Sequence, residues 1–425
     1  MMGKAGLRPS RSSLMSMTGG DSMAAMQDAV LNAANLFLTY VPWKLRRHLI
    51  NNSDMLQRML FSGGSNGLGK TAQELRVGGR WTKSAGEPLS SDAAPLVRAL
   101  GAGFQQMKTQ QLTVDEAYRP APTWAEILAA EWSPLLAQLE GGNDAALGPF
   151  LHEFFRNGGI SGLWGHRAMY EQFCKEQGWV KTKRETRFIS QFETWRGEMP
   201  LASLDELNQP RVGDPWGFDV DGRLVIEPAF EYHEMACRVR DLLAGVRNPV
   251  VLEIGGGFGG LAWHICKQIP GVRYIALDLP ENVIVQSWFL SRALPDHQVC
   301  FNNVDTADAG TPGEVDISVL PNWSIQDLQL PRCDLAINIR SFGEMNRSTL
   351  ERYFSELSRL KPTWIYHENL KTPRKDALYG IASTDYPPLR GYRSIYTCES
   401  RWPRYNKAST YPCQENLLMA EHEES

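Results

Sequence analysis

The sequence predicts an α/β protein built on a mostly parallel, Rossmann-like sheet, preceded by a mostly α-helical N-terminal part. Three observations predict it. Val250-Val251-Leu252-Glu253-Ile254 is a short apolar run that leads into Gly255-Gly256-Gly257-Phe258-Gly259-Gly260 and then a helical pattern. A second apolar run, Tyr274 to Leu277, ends in Asp278. Strand, glycine turn, helix, strand and acid is the arrangement by which an open α/β sheet holds a nucleoside. Beyond residue 210, apolar runs and helical patterns alternate, as parallel strands joined by crossover helices require.

The 425 residues suffice for two or three domains. We read residues 1–20 as a disordered N-terminus, 21–210 as a helical N-terminal domain and 211–425 as the α/β domain. The first 20 residues are basic and serine-rich, with no acid before Asp21; a transit peptide has the same composition. In the N-terminal part, apolar residues recur at helical spacing over 22–40, 43–60, 93–107, 123–139, 148–156 and 166–177. The clearest stripe is Trp124, Ile127, Leu128, Trp132, Leu135 and Leu136. The apolar run Ala29 to Val41 is too short to span a bilayer and ends at Pro42. It reads as a core helix followed by a basic turn, with surface membrane attachment as the alternative.

Gly64-Ser65-Asn66-Gly67-Leu68-Gly69-Lys70-Thr71 fits the phosphate-loop pattern GxxxxGK[ST]. That loop needs a buried strand before it and a helix after it. The preceding residues read as helix, and the following segment runs into Gly78-Gly79. The stretch is therefore read as a glycine linker.

In the α/β part, Asn248-Pro249 introduces the first strand, and 259–268 is a helix with Leu261 and Ile265 inward. Pro280 starts the next helix, which runs through Ala293. Residues 316–320 and 334–339 are apolar enough for buried strands. Ser348-Thr349-Leu350-Glu351 has the form of a capping box and opens a helix to Leu360, stopped by Lys361-Pro362. A strand begins at 364–366. Residues 394–398 and 416–420 close the sheet as a pair, and 421–425 is an acidic tail.

Composition narrows the function. The net charge of −4 argues against a nucleic-acid partner, which selects a basic face. Seven cysteines with no CxxC pair fit reduced thiols in a cytoplasmic protein. No run reaches the length of a membrane span. Assembly as a homo-oligomer stays open.

The glycine turn sets the ligand class. Glu253 is awkward beside a pyrophosphate but suits a cationic ligand, which favours S-adenosylmethionine (SAM) over NAD. Gly255, Gly256 and Gly257 let the backbone approach the methionyl part. Asp278, with Leu279 beside it, can accept hydrogen bonds from the ribose hydroxyls, or it can cap the next helix. Asn322 and Trp323, with Asp327 just beyond, follow the next strand; a polar group there can bond the adenine amine while Trp323 covers a ring face, or the stretch is a turn with a buried Trp. Asn338 and Arg340 lie at the end of the fourth strand, bordering the pocket, unless Arg340 pairs with Glu344 to hold a loop.

The fifth strand ends in Tyr366-His367-Glu368-Asn369. His367 can serve as general base for a hydroxyl acceptor, with Glu344 or Glu368 orienting the imidazole. Equally, His367 and these acids can hold a divalent metal such as Mg²⁺ on a substrate diol. His233 is a second base candidate. Trp216, Trp402 and Tyr405 can wall a sugar face, or pack in the core.

These motifs together resemble the sugar O-methyltransferases of the SAM-dependent class I superfamily. The match runs from about Phe154 to Met419. It rests on Gly213-Asp214-Pro215-Trp216-Gly217, the glycine turn, Asp278-Leu279-Pro280-Glu281-Asn282, Leu320-Pro321-Asn322-Trp323, Arg340-Ser341-Phe342-Gly343-Glu344-Met345, Tyr366-His367-Glu368-Asn369 and Glu415-Asn416-Leu417-Leu418. The resemblance implies a seven-stranded sheet with an antiparallel last strand, and methylation of a hydroxyl on a glycan or glycosylated metabolite. A non-sugar acceptor (lipid, polyketide or peptide), an NAD-linked oxidoreductase and a non-catalytic SAM-binding module are the rival readings.

Overall fold

A computed structural model describes residues 77–84, 93–141, 144–160, 167–305, 315–372, 380–400, 402 and 412–421. The expected tail, the helices at 22–40 and 43–60, the glycine linker at 64–71, Tyr405 and most of the acidic tail lie outside these residues.

The first described strand, β1 (Val77–Trp81), pairs with β2 (Gly217–Val220), which forms a hairpin with β3 (Arg223–Val225). Asp221 and Gly222 join β2 to β3 with φ of 52° and 79°. Asp-Gly with both residues left-handed is a favoured two-residue hairpin turn, and this dipeptide is the local signal for the strand pair. The helices that precede the hairpin are α1 (Ala94–Gln111), α2 (Pro122–Ile127), α3 (Ser133–Glu140), α4 (Leu147–His152), α5 (Arg167–Lys175) and α6 (Gly178–Glu198). The single helix expected over 123–139 is α2 and α3 joined by one π-helical turn, Leu128–Trp132.

The second half supplies α7 (Ala229–Leu242), β4 (Val250–Ile254), α8 (Gly260–Gln268), β5 (Arg273–Asp278), α9 (Pro280–Ala293), β6 (Val299–Phe301), β7 (Ile317–Pro321), β8 (Leu335–Ile339), α10 (Arg347–Leu360), β9 (Trp364–Leu370), β10 (Tyr392–Glu399) and β11 (Cys413–Ala420). The sheet order is β10-β11-β9-β8-β4-β5-β7-β6. Strands β4 to β9 run parallel, and β11 is antiparallel to both neighbours. This is the implied sheet with its reversed last strand, widened to eight by β6. That strand has only three residues and partly exposed side chains, too little pattern to read in advance.

Strands β4, β5, β7 and β8 are buried almost throughout, which is why they read as continuous apolar runs. Right-handed crossovers place α8 and α9 on one face of the sheet. After β7 the chain crosses back over β4 to β8 and then builds outward to β9 in the opposite direction, so α10 covers the opposite face. Helix α10 begins two residues earlier than its capping-box sequence suggested: Asn346 is the cap, accepting from Thr349 N at 2.9 Å.

Residues 75–425 form one unit, and the expected division at residue 210 falls inside it. The physical reason is a shared core. Phe154 and Phe155, just after α4, pack on Phe258 and Phe289 of the α/β part at ring distances of 5.0–6.5 Å. Among the described residues, no helix is long and apolar enough to cross a membrane.

Candidate functional site

The carboxyl ends of β4, β5, β7, β8 and β9 meet at one edge of the sheet, and most of the expected site residues sit there. The glycine turn is held open by its backbone. Gly255, Gly257 and Gly259 have φ of 77°, 60° and 92°, a region costly for other residues. A Cβ at Gly255 would stand 2.2 Å from Ser341 Oγ, and one at Gly256 would stand 2.4 Å from Gln286 Nε2 and 2.6 Å from Glu253 Oε2. Two separate elements, the loop after β8 and helix α9, therefore close on this turn at atomic contact.

Glu253 is buried, and its Oε2 has no hydrogen-bond partner. Burial pushes its carboxyl up to about 7, Tyr274 opposing slightly and the Asp278 charge adding to the rise. Both amide atoms of Gln286 are likewise buried and unpartnered. Unmet buried polar atoms are costly, and these converge on Gly256.

Asp278 ends β5 as expected, but it is already engaged. Its Oδ2 accepts from Gly257 N at 2.8 Å, and its Oδ1 accepts from Leu279 N at 2.7 Å and Asn282 Nδ2 at 2.8 Å. It ties the glycine turn to the start of α9, and burial lifts its carboxyl to about 6 against these hydrogen bonds. Lone-pair capacity remains on Oδ2. Asn282, Gln286 and Leu290 follow at four-residue spacing, and Gln286 and Leu290 approach Gly259. Sequence reasoning missed Asn282 and Gln286; two amide side chains four apart on a largely apolar helix were the available signal.

Beyond β7, Asn322 and Trp323 are buried. Asn322 Nδ2 donates to Tyr118 O at 2.9 Å, and its Oδ1 is left without a partner. Tyr118 lies between α1 and α2. Its ring meets Tyr353 of α10 edge-on at 5.6 Å. Asp115 pairs with Arg352 at 2.7 Å, and Trp124 Nε1 donates to Glu344 Oε2 at 2.8 Å. The segment 115–124 thus straps across the carboxyl edge of the sheet.

Asn338 is a structural tie. Its Nδ2 donates to Ile254 O at 2.8 Å, and its Oδ1 accepts from Phe342 N at 3.2 Å and Asn369 Nδ2 at 2.9 Å. Its amide is engaged by β4, by β9 and by the loop after β8. Arg340 takes a left-handed φ of 63°. It pairs with Glu368 and Glu231, while Glu344, its expected partner, accepts from Trp124. Ser400 Oγ donates to the other oxygen of Glu368 at 2.7 Å. Burial raises Glu231 to about 7, although Arg340 opposes it.

The fifth strand corrects one expectation. His367 and Glu368 are adjacent in a strand, so their side chains take opposite faces. His367 faces Phe342 and Tyr386, at ring distances of 6.2 and 5.8 Å. Glu368 faces Arg340 and α7. Glu368 therefore neither orients the imidazole nor shares a metal with it. Among the described residues, no group of three or more His, Cys, Asp or Glu side chains is arranged to hold a metal ion. His367 Nδ1 is buried without a partner, and burial lowers the imidazole to about 4.

Three more candidates leave the site. His233 is buried on α7 and accepts from Trp195 Nε1 at 3.0 Å. Trp216 is a core residue that donates to Phe155 O and packs on Phe173 at 4.7 Å. Trp402 is buried with its Nε1 on Glu234. Large apolar rings are drawn into the core unless the fold props them out.

No protein-family model and no curated protein matches the chain. Solved structures give distant likenesses. The pyocyanin biosynthetic protein PhzM is 12% identical over 46% of this chain and 56% of its own, with a TM-score of 0.32. This chain thus spans little more than half of that protein's length. The O-methyltransferase TomG from Streptomyces achromogenes is 12% identical over 46% and 81%, with a TM-score of 0.30. The N-methyltransferase NodS from Bradyrhizobium japonicum is 10% identical over 45% and 87%, with a TM-score of 0.32. The fold assignment rests on the strand order itself.

Proposed function

We propose that this chain is a SAM-dependent O-methyltransferase whose acceptor is a hydroxyl of a sugar, in a glycan or a glycosylated metabolite. The observation that carries the cofactor is Glu253: a buried carboxyl with an unmet oxygen at the mouth of a glycine turn. A pyrophosphate would repel it, whereas an α-ammonium satisfies it. The residues present fit the cofactor. Glu253 and the amide of Gln286 suit the methionyl end, Asp278 Oδ2 retains capacity for one ribose hydroxyl, and Asn322 Oδ1 suits an adenine amine. Trp323 is buried beside it.

When bound, SAM supplies a methyl group on a positively charged sulfur. The protein's own part is alignment, exclusion of water and removal of one proton. With the cofactor bound, a buried, neutral His367 would take up the acceptor's proton at Nδ1 as the hydroxyl oxygen gains the methyl, so that the positive charge would end on the imidazole. Burial lowers the proton affinity of His367 and so keeps it unprotonated at neutral pH.

Calorimetric titration with SAM, followed by mass-spectrometric screening of nucleotide sugars and glycosides for added methyl groups, tests this reading. His367→Ala should slow transfer while SAM still binds. Wild-type protein that binds NADH but not SAM would refute it.

A further inference from the structure

Tyr386 stood outside every motif read from the sequence, yet its surroundings call for a partner. It lies in a segment that crosses the carboxyl edge of β8 and β9. Arg347 Nη2 donates to Asp385 O at 3.1 Å, and Ser383 Oγ donates to Gln414 Oε1 at 3.1 Å, tying the segment down just ahead of Tyr386. The ring turns inward against Phe342, Phe354 and His367, at 6.2, 6.1 and 5.8 Å. Its hydroxyl is buried with no hydrogen-bond partner, and so is Nδ1 of His367, a residue only 6% exposed. A hydroxyl donates and accepts; a neutral imidazole nitrogen accepts. Leaving both unmet among aromatic rings is unfavourable unless a ligand group meets them.

Gly343 shows where that group fits. Its φ is not left-handed, so backbone conformation does not demand glycine there. A Cβ would stand 3.8 Å from Tyr386 Oη and 3.9 Å from Asn369 Oδ1 and Ile381 O. That is ordinary contact without a clash. The missing side chain leaves a methyl-sized space in front of the Tyr386 hydroxyl.

We propose that Tyr386 binds the acceptor directly, hydrogen-bonding a second hydroxyl beside the one that loses its proton to His367, with Gly343 providing the room. The acceptor is then polyhydroxylated, with two hydroxyls presented together. This assignment rests on the methyl-transfer reading above.

The test uses the full chain loaded with S-adenosylhomocysteine. Saturation-transfer NMR reads the binding of methyl β-D-glucopyranoside, with cyclohexanol as the single-hydroxyl control. Wild type should contact the glucoside well above the control. Tyr386→Phe should weaken that contact by about two- to tenfold, the worth of one neutral hydrogen bond. Gly343→Ala should weaken it by filling the space. Affinity for S-adenosylhomocysteine should stay unchanged in both variants. Equal glucoside binding by wild type and both variants overturns the proposal, as does cyclohexanol binding as well as the glucoside. No contact with the glucoside in cofactor-loaded wild type also overturns it. Failure of wild type to bind S-adenosylhomocysteine is a different result: it removes the methyl-transfer reading itself.

Discussion

Protonation of Glu253 should control cofactor affinity. Its carboxyl is held near 7 by burial, so in the free protein it is largely neutral below that pH. An α-ammonium binds the ionised form and must expel the proton. The apparent binding constant then follows the ionised fraction, which is about one tenth at pH 6.0 and about three quarters at pH 7.5. Affinity for SAM should therefore rise about eightfold across that window. Asp278, near 6, adds up to about twofold more if the ribose contact needs its carboxylate. The window stops at pH 7.5 because the ligand's own α-amine, which ionises at about 7.7–8.0, is still mostly charged there; its partial loss trims the rise to about sixfold. Isothermal titration in buffers of differing ionisation enthalpy measures both the affinity and the proton released. Nearly one proton should leave at pH 6.0 and about half of one at pH 7.0. Glu253→Gln should bind weakly and flatten the profile. The same change should stabilise the free protein. A carboxyl whose proton is held more tightly in the fold contributes stability below its ordinary 4.5 and loses it as pH rises through about 7. Above 7 that loss amounts to roughly 3 kcal/mol, so the variant should melt higher than wild type at pH 8 and alike at pH 4. An affinity that ignores pH between 6.0 and 7.5, or a glutamine variant that binds as tightly as wild type, would defeat this account.

Other predictions follow from the same geometry. Gly255→Ala combines a left-handed φ with a 2.2 Å approach to Ser341 Oγ; it should cost about 3 kcal/mol or more in chemical denaturation. Adding Ser341→Gly should recover part of that loss, and strict additivity in the double-mutant cycle would show that the contact is not made. Asp278→Ala strands the N–H groups of Gly257 and Leu279, so it should lower stability by about 2–4 kcal/mol as well as SAM affinity; a variant that loses affinity at wild-type stability would contradict the tie drawn here. Glu368→Gln should destabilise by about 2 kcal/mol. That is less than the 3–5 kcal/mol typical of a fully buried pair, because the Arg340 side chain is 40% exposed. A melting curve identical to wild type would argue against the Arg340–Glu368 pair.

Much of this fold was written in local pattern. The strands β4, β5, β7 and β8 are buried on both faces and announce themselves as unbroken apolar runs. The glycine turn and Asp278 needed only chain order to be placed. The pairing across the sheet was another matter. Neither β6 nor the Phe154–Phe258 contact has a local signal, so the width of the sheet and the merging of the two halves appeared only in three dimensions.

For the site, sequence alone determined which chemistry is present: an acid before a glycine turn, an acid after the second strand, and a polar cluster on the fifth. Those follow from residue type and spacing, and they lie on the backbone in fixed order. Tertiary structure decided which of these groups remain free to act. Asn338 was absorbed into a loop, Glu368 was turned to the far face by strand alternation, and Trp216 and Trp402 were drawn inward by the apolar core. Tyr386 was brought to His367 from a distant segment. Hydrogen-bond satisfaction is a property of neighbours in space, and a linear sequence lists neighbours only along the chain.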